Sequence, residues 1–583
     1  MNNIYKKNMR FLKRNASILY SKIINNQDKS TYIEKIGKGK KNIIKYIEGN
    51  EYRVHSSYDA DFQGEILGRQ INIDKCDVVV IFGMGLGYEI KQIIKIVPNK
   101  IYVVIEPDTA ICQRMLENID FNEFLLYGKN VKFTLTDDAN EIGEELRIVL
   151  EKNKTTKVQF VVLPFYSHKY MQLVNESFES MRKIIKGMRV NTVTNLVTDR
   201  QWLLNYIVNT KYLKDTISMT ELNDKFRNIP AIIVGAGPSV ELNLEHLKKV
   251  YGHALIVGAG NGARVLEKNN IKADIIGAMD GTALSEKIYT DFKLNNNAVL
   301  FYSTQVFPTI PDMIGKNKIL MNQVAMDNYI YKKIWNINKN TIFSGPSITN
   351  VLAYNLAQMG CNPIIFLGQD LCGQPEKIYS SGTIYDEDSK LNTKLPIEIK
   401  NKKNEVCYTN ESYLTMKYSM ESIIKAFKGT EFLNGTDSGV HISGSIDIDF
   451  NEYADNTLLL SEKISFDSML KEIKSDKNDL KEEIQQLICD IDLEINNIYE
   501  TLNKAIEKIK GNENNAVKIN FINVIDKQLM SFSFFRDVLN STFRKELDFI
   551  YGKDEQIEKM RKIYLYYLEK CHVIKHGLNL IKN

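Results

Sequence analysis

The sequence predicts an α/β protein with two Rossmann-like units, each a doubly wound parallel sheet, followed by an all-α C-terminal region. Short strands alternate with helical segments, and the strands are continuous apolar runs, as in sheets buried on both faces. Beyond these units the strands vanish and helical periodicity begins. We therefore expect an N-terminal domain over residues 1–215, a central α/β domain over residues 216–455 and a helical bundle over residues 456–583.

The first domain begins with polar sequence, for which we predict a helix at residues 4–24 and short strands such as residues 42–47. Its later strands are predicted at residues 77–82, 101–108 and 158–165, before a helical stretch at residues 170–212. The central domain has predicted strands at residues 231–237, 254–260, 273–280, 298–303 and 363–370.

The tail carries an apolar stripe whose members are three or four positions apart. They are Leu480, Ile484, Leu487, Ile491, Ile495, Ile498, Leu502, Ile506 and Ile509. Such a repeat of about 3.67 residues per turn stays on one face of a nearly straight helix. GNENN at residues 511–515 ends it, and two more helices are predicted near residues 517–549 and 555–581. We expect the bundle to pack on the rest of the chain or on a second copy, so a homo-oligomer is one possible assembly.

Composition argues against several classes of protein. The 583 residues carry a formal net charge of +4, whereas a dedicated nucleic-acid binder is normally more basic. The seven cysteines are scattered without a CxxC, which disfavours a zinc ribbon or a disulfide framework. The N-terminus lacks a signal-peptide pattern, and the longest apolar run, residues 78–87, is too short to span a bilayer. We expect a cytoplasmic protein with no membrane span.

A first glycine loop, Gly83-Met84-Gly85-Leu86-Gly87, lies between a predicted strand and a predicted helix. Backbone N–H groups at such a turn can hold an anion. Glu106 ends the next strand, at the spacing where Rossmann sites bind ribose hydroxyls. The pattern resembles the methyltransferase type and predicts a second nucleotide-like site at Gly83, Gly85, Gly87 and Glu106. The alternative is that the glycines serve only close packing.

A second group of motifs follows neighbouring strands of the central domain. Gly235-Ala236-Gly237-Pro238-Ser239 follows the first strand, Gly258-Ala259-Gly260-Asn261 the second, and Asp280 ends the third. Ligands of open α/β sheets bind at the carboxyl ends of strands, so this convergence predicts a binding site.

Further candidates lie downstream. Ser344-Gly345-Pro346-Ser347 precedes a helix and is either a phosphate cradle or a helix cap. Gln369 and Asp370 end the last strong strand, where we expect an exposed carboxylate beside a loop at residues 379–381. The candidates for a general base are Asp370, Asp280 and, third, His441 in a Gly-rich turn.

These motifs resemble a known family. IIVGAGPSVELNLEHLKK, IKADIIGAMD and SITNVLAYNLAQMGCNPIIFLGQDL are similar to the core of the motility accessory factor (Maf) family of bacterial flagellin glycosyltransferases. FGMGLGYE and VVIEPD resemble that family's N-terminal domain. FLNGTDSGVHISG resembles its Asn-x-Thr/Ser-x-Gly-Gly segment, with Ser438-Gly439 where two glycines are usual. The core is also similar to archaeal, MptE-like 6-hydroxymethylpterin diphosphokinases.

The resemblance implies a sialyltransferase-like core that moves pseudaminic or legionaminic acid from its CMP-activated form to Ser or Thr of flagellin, for flagellar assembly and motility. It implies that the CMP-sugar is bound by Gly235, Gly237, Pro238, Ser239, Asn261, Asp280, Ser344, Gly345, Pro346, Ser347 and Gln369. Such transferases require no metal or other cofactor. Two alternatives stay open: an ATP-dependent pterin diphosphokinase-like enzyme and a non-catalytic flagellin-binding chaperone.

Overall fold

The computed structural model describes residues 3–36, 40–127, 130–153, 155–315, 317–338, 342–373, 378–384, 394–474, 480–551 and 554–582. The chain divides into two compact units, Met1–Leu196 with Asp548–Gly552 and Val197–Leu547 with Lys553–Asn583. This division differs from the expected one, because its boundary precedes residue 215 and most of the helical tail shares a unit with the central sheet.

The first unit contains a three-stranded antiparallel sheet and a four-stranded parallel sheet. The antiparallel strands are β1 (Thr31–Lys35), β2 (Lys41–Ile47) and β3 (Asn50–Arg53). The parallel strands are β4 (Val78–Phe82), β5 (Ile101–Glu106), β6 (Val131–Leu135) and β7 (Val158–Val162). Their order is β6-β5-β4-β7. β6 is not among the predicted strands, because this half-buried edge strand lacks a continuous apolar run.

Helices of the first unit follow the predicted alternation. The expected helix at residues 4–24 is two helices, because Ala16 leaves the helical backbone region. The helices are Asn3–Asn15, Ser17–Ile24, Ala60–Arg69, Tyr88–Ile96, Thr109–Asn118, Phe121–Tyr127, Ala139–Asn153, Pro164–Lys169 and Met171–Val208. The last of them crosses the boundary between the units and confirms the helical stretch predicted after residue 170.

The second unit is built on a nine-stranded sheet and a separate hairpin. In chain order the strands are β8 (Thr216–Ser218), β9 (Ala231–Val234), β10 (Leu255–Ala259), β11 (Ile275–Ala278), β12 (Val299–Tyr302), β13 (Lys318–Leu320), β14 (Ile364–Leu367), β15 (Ile397–Lys400), β16 (Val406–Thr409), β17 (Phe432–Asn434) and β18 (Ile446–Asp447). β15 and β16 form the hairpin. The five predicted strands of this unit are confirmed, whereas β8, β13, β17 and β18 are too short to show a pattern.

Neighbouring strands of the large sheet are all parallel, in the order β18-β17-β14-β9-β10-β11-β12-β13-β8. The chain proceeds outward from β9 to β13 and then returns to β14 on the other side of β9. The direction of winding therefore reverses between β9 and β14. Such a switch point opens a crevice at the carboxyl ends of the strands.

Helices of the second unit include the predicted bundle. Their bounds are Leu244–Lys249, Asn261–Lys268, Glu286–Tyr289, Ile310–Met313, Ala325–Ile334, Ile348–Gln358, Glu411–Ala426, Phe450–Asn456, Phe466–Lys474, Lys481–Lys510, Asn515–Ser531, Ser541–Ile550 and Gln556–Lys582. The apolar stripe from Ile484 to Ile509 is buried, as predicted. The helix predicted at residues 517–549 is broken at Phe532, where the backbone is extended, and its second part contains a π-helical segment, Phe535–Asn540. In the described part of the chain, no helix has both the length and the apolar character needed to cross a bilayer.

Candidate functional site

The candidate site lies in the second unit, where the loops after β9 and β14 meet. Gly235 donates its N–H to the Leu367 carbonyl, and Gly237 donates to the Gly368 carbonyl, each at 2.8 Å. A Cβ atom added at Gly237 would lie 2.0 Å from Asp370 Oδ2. Glycine is required there because the loop and the carboxylate approach each other too closely for a side chain. The structure thus brings together two motifs that are separate in sequence.

Asp370 is only 5% exposed, so the expectation of an exposed carboxylate is wrong. Its Oδ2 atom accepts a hydrogen bond from the Ser239 N–H at 3.1 Å. Within the described residues, Oδ1 has no hydrogen-bond partner of normal geometry. Burial raises the pKa of Asp370 to about 6, although Ser239 and the nearby Lys402 ammonium act to lower it. Asp370 is buried because Gly237, in the loop after β9, lies against its carboxylate and Gly439, in the loop after β17, lies against its backbone.

The contact with Asp370 changes the expected role of the Gly235–Ser239 loop. Ser239 is expected to face CMP, but here its N–H donates to a carboxylate of the chain itself. Pro238 begins a short 3-10 helix, Pro238–Asn243, and not an α-helix. A phosphate at this loop would compete with Asp370 for the same N–H group.

The loop after β17 and the tip of the β15–β16 hairpin lie on the other side of Asp370. Val440 donates its N–H to the Asp370 carbonyl at 2.9 Å, and the Lys402 N–H donates to the Gly439 carbonyl at 3.0 Å. The ammonium of Lys402 donates to the Asn434 carbonyl at 3.3 Å. Burial lowers the pKa of Lys402. Sequence reasoning missed this lysine, because only the folded hairpin carries it to the sheet.

Four polar atoms around this switch point are buried without a hydrogen-bond partner among the described residues. They are Asp370 Oδ1 and the hydroxyl oxygens of Ser239, Ser380 and Thr436. The backbone N–H of Ser380 donates to the Ala236 carbonyl at 2.9 Å, which places this segment on the loop after β9. An unpaired buried polar group costs about 1–3 kcal/mol. A bound ligand or water would satisfy such atoms.

Other predicted residues lie together at the end of β10. Asn261 begins a helix, and its Oδ1 accepts a hydrogen bond from the Ile384 N–H at 3.3 Å. A Cβ at Gly260 would contact Ile348 at 3.4 Å, so the segment of Ser344, Gly345, Pro346 and Ser347 begins its helix beside this strand end. Ser347 accepts a hydrogen bond from the Asn350 N–H at 3.3 Å. This is the contact of a helix cap, the alternative to a phosphate cradle.

Asp280 and His441 are apart from the Asp370 carboxylate. Asp280 follows β11, three strands from β14, and three spacings correspond to roughly 14 Å. It is exposed, and its Oδ1 accepts a hydrogen bond from the Thr282 N–H at 2.9 Å. The His441 side chain is 56% exposed, and its Nδ1 lies 3.0 Å from Asp447 Oδ2. The three candidate bases therefore do not share one position.

The first glycine loop, in the other unit, is filled by side chains of the chain itself. Glu106 Oε2 accepts hydrogen bonds from the Met84 N–H at 3.0 Å and the Tyr166 hydroxyl at 2.5 Å. Its Oε1 accepts from the Asp108 N–H at 3.0 Å. The Gly87 N–H donates to the Met84 carbonyl, within the same loop, at 2.9 Å. Burial raises the pKa of Glu106 to about 7.

Aromatic and imidazole rings occupy the space in front of this loop. Gly83 and Gly85 have φ values of +99° and +52°, and an added Cβ would lie 2.1 Å from the Tyr166 ring and 2.5 Å from the His55 ring. His55 Nε2 accepts a hydrogen bond from the Leu86 N–H at 2.7 Å. In this structure Glu106 and the loop N–H groups bind each other or the side chains of Tyr166 and His55. This arrangement is the one expected under the close-packing alternative, and the second nucleotide-like site stays a prediction.

Comparison with known proteins agrees with the resemblance read from the motifs. The family model "Glycosyltransferase Maf N-terminal domain" matches residues 50–188, and "6-hydroxymethylpterin diphosphokinase MptE-like" matches residues 204–376. The Maf glycosyltransferase from Magnetospirillum magneticum AMB-1 is similar in fold, with a TM-score of 0.55 and 13% identity, covering 99% of this chain and 96% of that one. A search of curated proteins gives no match. The match to the Maf N-terminal domain supports a glycosyltransferase.

Proposed function

We propose that this chain, whose likeness to the Maf glycosyltransferases is confirmed, transfers pseudaminic or legionaminic acid from its CMP-activated form to Ser or Thr of flagellin. The observation that carries the assignment of the site is the carboxylate of Asp370, buried at the switch point with one oxygen unpaired. This acid lies inside the segment that the MptE-like model matches. The proposal places the reaction in the cytoplasm, before flagellin is exported.

In the proposed reaction, the acceptor hydroxyl oxygen bonds to the anomeric carbon of the sugar. The bond between that carbon and the phosphate oxygen breaks, and CMP leaves with the electron pair. The hydroxyl proton goes to a general base, for which we propose Asp370. A carboxylate with a pKa of about 6 is ionised at neutral pH and is still basic enough to take that proton.

Asp370 is buried, so a substrate can reach its carboxylate only if neighbouring residues move. Ser380 bonds to the loop after β9, and Ile384 bonds to Asn261 after β10. We propose that donor binding displaces residues 380–384 from these two strand ends. CMP then lies over Gly235, Gly237, Pro238 and Ser239, with Gln369 beside it, and residues 344–347 lie toward the sugar.

The proposed transfer needs no metal or cofactor, and this distinguishes it from a second candidate. The match at residues 204–376 favours pyrophosphoryl transfer from ATP to a pterin. That reaction is expected to require Mg²⁺ and to show thermal stabilisation by ATP, whereas the proposed function predicts stabilisation by CMP and activity in EDTA. Among the residues that the structure describes, no group of three or more His, Cys, Asp or Glu side chains is placed to hold a metal ion.

The deciding experiment is mass spectrometry of flagellin co-expressed with this chain and a CMP-nonulosonate pathway. Modified Ser or Thr residues that disappear with Asp370→Asn would support the proposal. Unmodified flagellin, with ATP and Mg²⁺ as the stabilising ligands, would favour the pterin candidate. A chaperone would bind flagellin equally well with and without this substitution, and no turnover would be found with either chain.

A further inference from the structure

We infer that Lys402 binds the anionic part of the nucleotide donor, the phosphate of CMP, and this inference rests on the proposed function. The lysine lies at the tip of the β15–β16 hairpin, and its backbone N–H is fixed by the Gly439 carbonyl at 3.0 Å. Gly439 precedes Val440, which bonds to the Asp370 backbone at 2.9 Å. The hairpin therefore holds Lys402 at the carboxyl ends of β14 and β17, beside the proposed base.

The ammonium of Lys402 is mostly buried and has weak contacts. Its side chain is 12% exposed, and its described partners are the Asn434 carbonyl at 3.3 Å and Asp447 Oδ1 at 3.8 Å. An ammonium has three N–H donors, and burying it is costly unless acceptors replace the lost water. One long hydrogen bond and one long ion pair leave donor capacity for an additional acceptor.

The acidic residues around Lys402 have other partners. Asp447 Oδ1 accepts a hydrogen bond from the Asn434 side-chain amide at 3.0 Å, and Oδ2 lies 3.0 Å from His441 Nδ1. Lys403 binds both oxygens of Asp437, each at 2.7 Å.

The remaining acid near Lys402 is Asp370, whose Oδ2 is bound by the Ser239 N–H. Each of these carboxylates has a partner besides Lys402, so the ammonium is not held by them alone.

The ligand class follows from the surroundings of this charge. Thr436 follows β17 after Asn434 and Gly435, and its buried hydroxyl has no hydrogen-bond partner among the described residues. A lysine ammonium with a nearby hydroxyl at a strand end is suited to a phosphate oxygen. The net charge of +4 on the whole chain supplies little general attraction for an anion, so a local cation is needed.

The test compares CMP with uncharged cytidine by isothermal titration calorimetry. Full-length wild-type, Lys402→Met and Lys400→Met chains are titrated with both ligands. Lys400 is an exposed lysine of the same hairpin and serves as the matched control. We expect Lys402→Met to weaken CMP binding at least tenfold and to leave cytidine binding within twofold, while Lys400→Met changes neither.

Each other outcome has a separate meaning. Equal loss of CMP and cytidine binding, or unchanged CMP binding, would overturn the role of Lys402 and leave the proposed function standing. A wild-type chain that binds ATP but neither cytidine ligand would overturn the proposed function and this inference with it. Thermal unfolding of each variant identifies a misfolded chain. If Lys402→Met misfolds, Lys402→Arg, which keeps the charge, replaces it. A folded Lys402→Arg chain that still prefers CMP over cytidine supports the inference, and one that has lost this preference contradicts it.

Discussion

The carboxylate of Asp370 accepts a hydrogen bond from the backbone N–H of Ser239 at 3.1 Å, across the switch point between β9 and β14. This single contact joins two motifs that are separated by 131 positions. It occupies an amide of the glycine loop and acts to lower the pKa of the acid, which burial raises to about 6. The proposed base and the proposed donor loop are therefore coupled, and a substitution at either should affect the other.

Asp370→Asn should abolish most transfer while the fold is kept, because an amide has the same shape but cannot take a proton. We expect kcat to fall by about 10²–10⁴-fold, the usual contribution of a general base. Steady-state assays of flagellin modification measure it. His441→Asn is the control, since that side chain is exposed and paired with Asp447. A comparable loss in the control and none in Asp370→Asn would reject the assignment.

Transfer should decline below about pH 6, because protonation removes the basic form of Asp370. The folded-state pKa is raised, so the folded chain holds the proton more tightly than the unfolded chain does. The contribution of this group to stability therefore falls as pH rises from the unfolded value of about 3.9 toward 6. A pH profile of kcat/KM tests the expected decline in transfer at low pH. Urea unfolding at several pH values tests the expected fall in stability as pH rises. An acidic limb that persists in the residual activity of Asp370→Asn belongs to another group.

Gly237→Ala should reduce transfer strongly, because the new methyl would lie 2.0 Å from Asp370 Oδ2 and must displace the carboxylate. We expect a loss of at least tenfold in kcat/KM and a destabilisation of about 1–3 kcal/mol, as for overpacking. Gly429→Ala is the matched control, since nothing lies within 4 Å of a Cβ there. Equal activity of the two variants would show that the contact has no role in the reaction.

The first glycine loop should bind no S-adenosylmethionine, because Glu106, Tyr166 and His55 already occupy it. We expect no thermal shift with this ligand. Glu106→Gln should destabilise the fold by about 1–3 kcal/mol, because its new NH₂ group would face backbone N–H donors. Glu507→Gln, at an exposed helical site, should be neutral. A ligand-induced shift that Glu106→Gln removes would show that the loop opens to a ligand.

Ile495→Ala should cost about 2–5 kcal/mol of unfolding free energy, because the side chain is fully buried in the tail helix. Leu493→Ala on the same helix should cost less than about 0.5 kcal/mol, since that side chain is 64% exposed. Urea denaturation of the full chain measures both. Similar costs at the two positions would contradict the one-sided stripe.

Local sequence was sufficient for the elements whose signal is local. The five central strands of the large sheet are apolar runs, and the tail helix shows its buried face as a regular spacing from Ile484 to Ile509. Glycine loops at strand ends were also visible as motifs. Burial on both faces and helical periodicity are recorded in neighbouring residues, so these features needed no knowledge of the fold.

Only the tertiary structure decided which motifs lie next to one another in the folded chain. Strand order brings Asp370 to Ser239 and separates it from Asp280, because β9 and β10 lie between their strands. Packing filled the first glycine loop with Tyr166, and a hairpin placed Lys402 beside the sheet. These outcomes depend on contacts between residues far apart in the chain, and spacing along a single sequence does not encode which distant loop will fill a turn or bury a carboxylate.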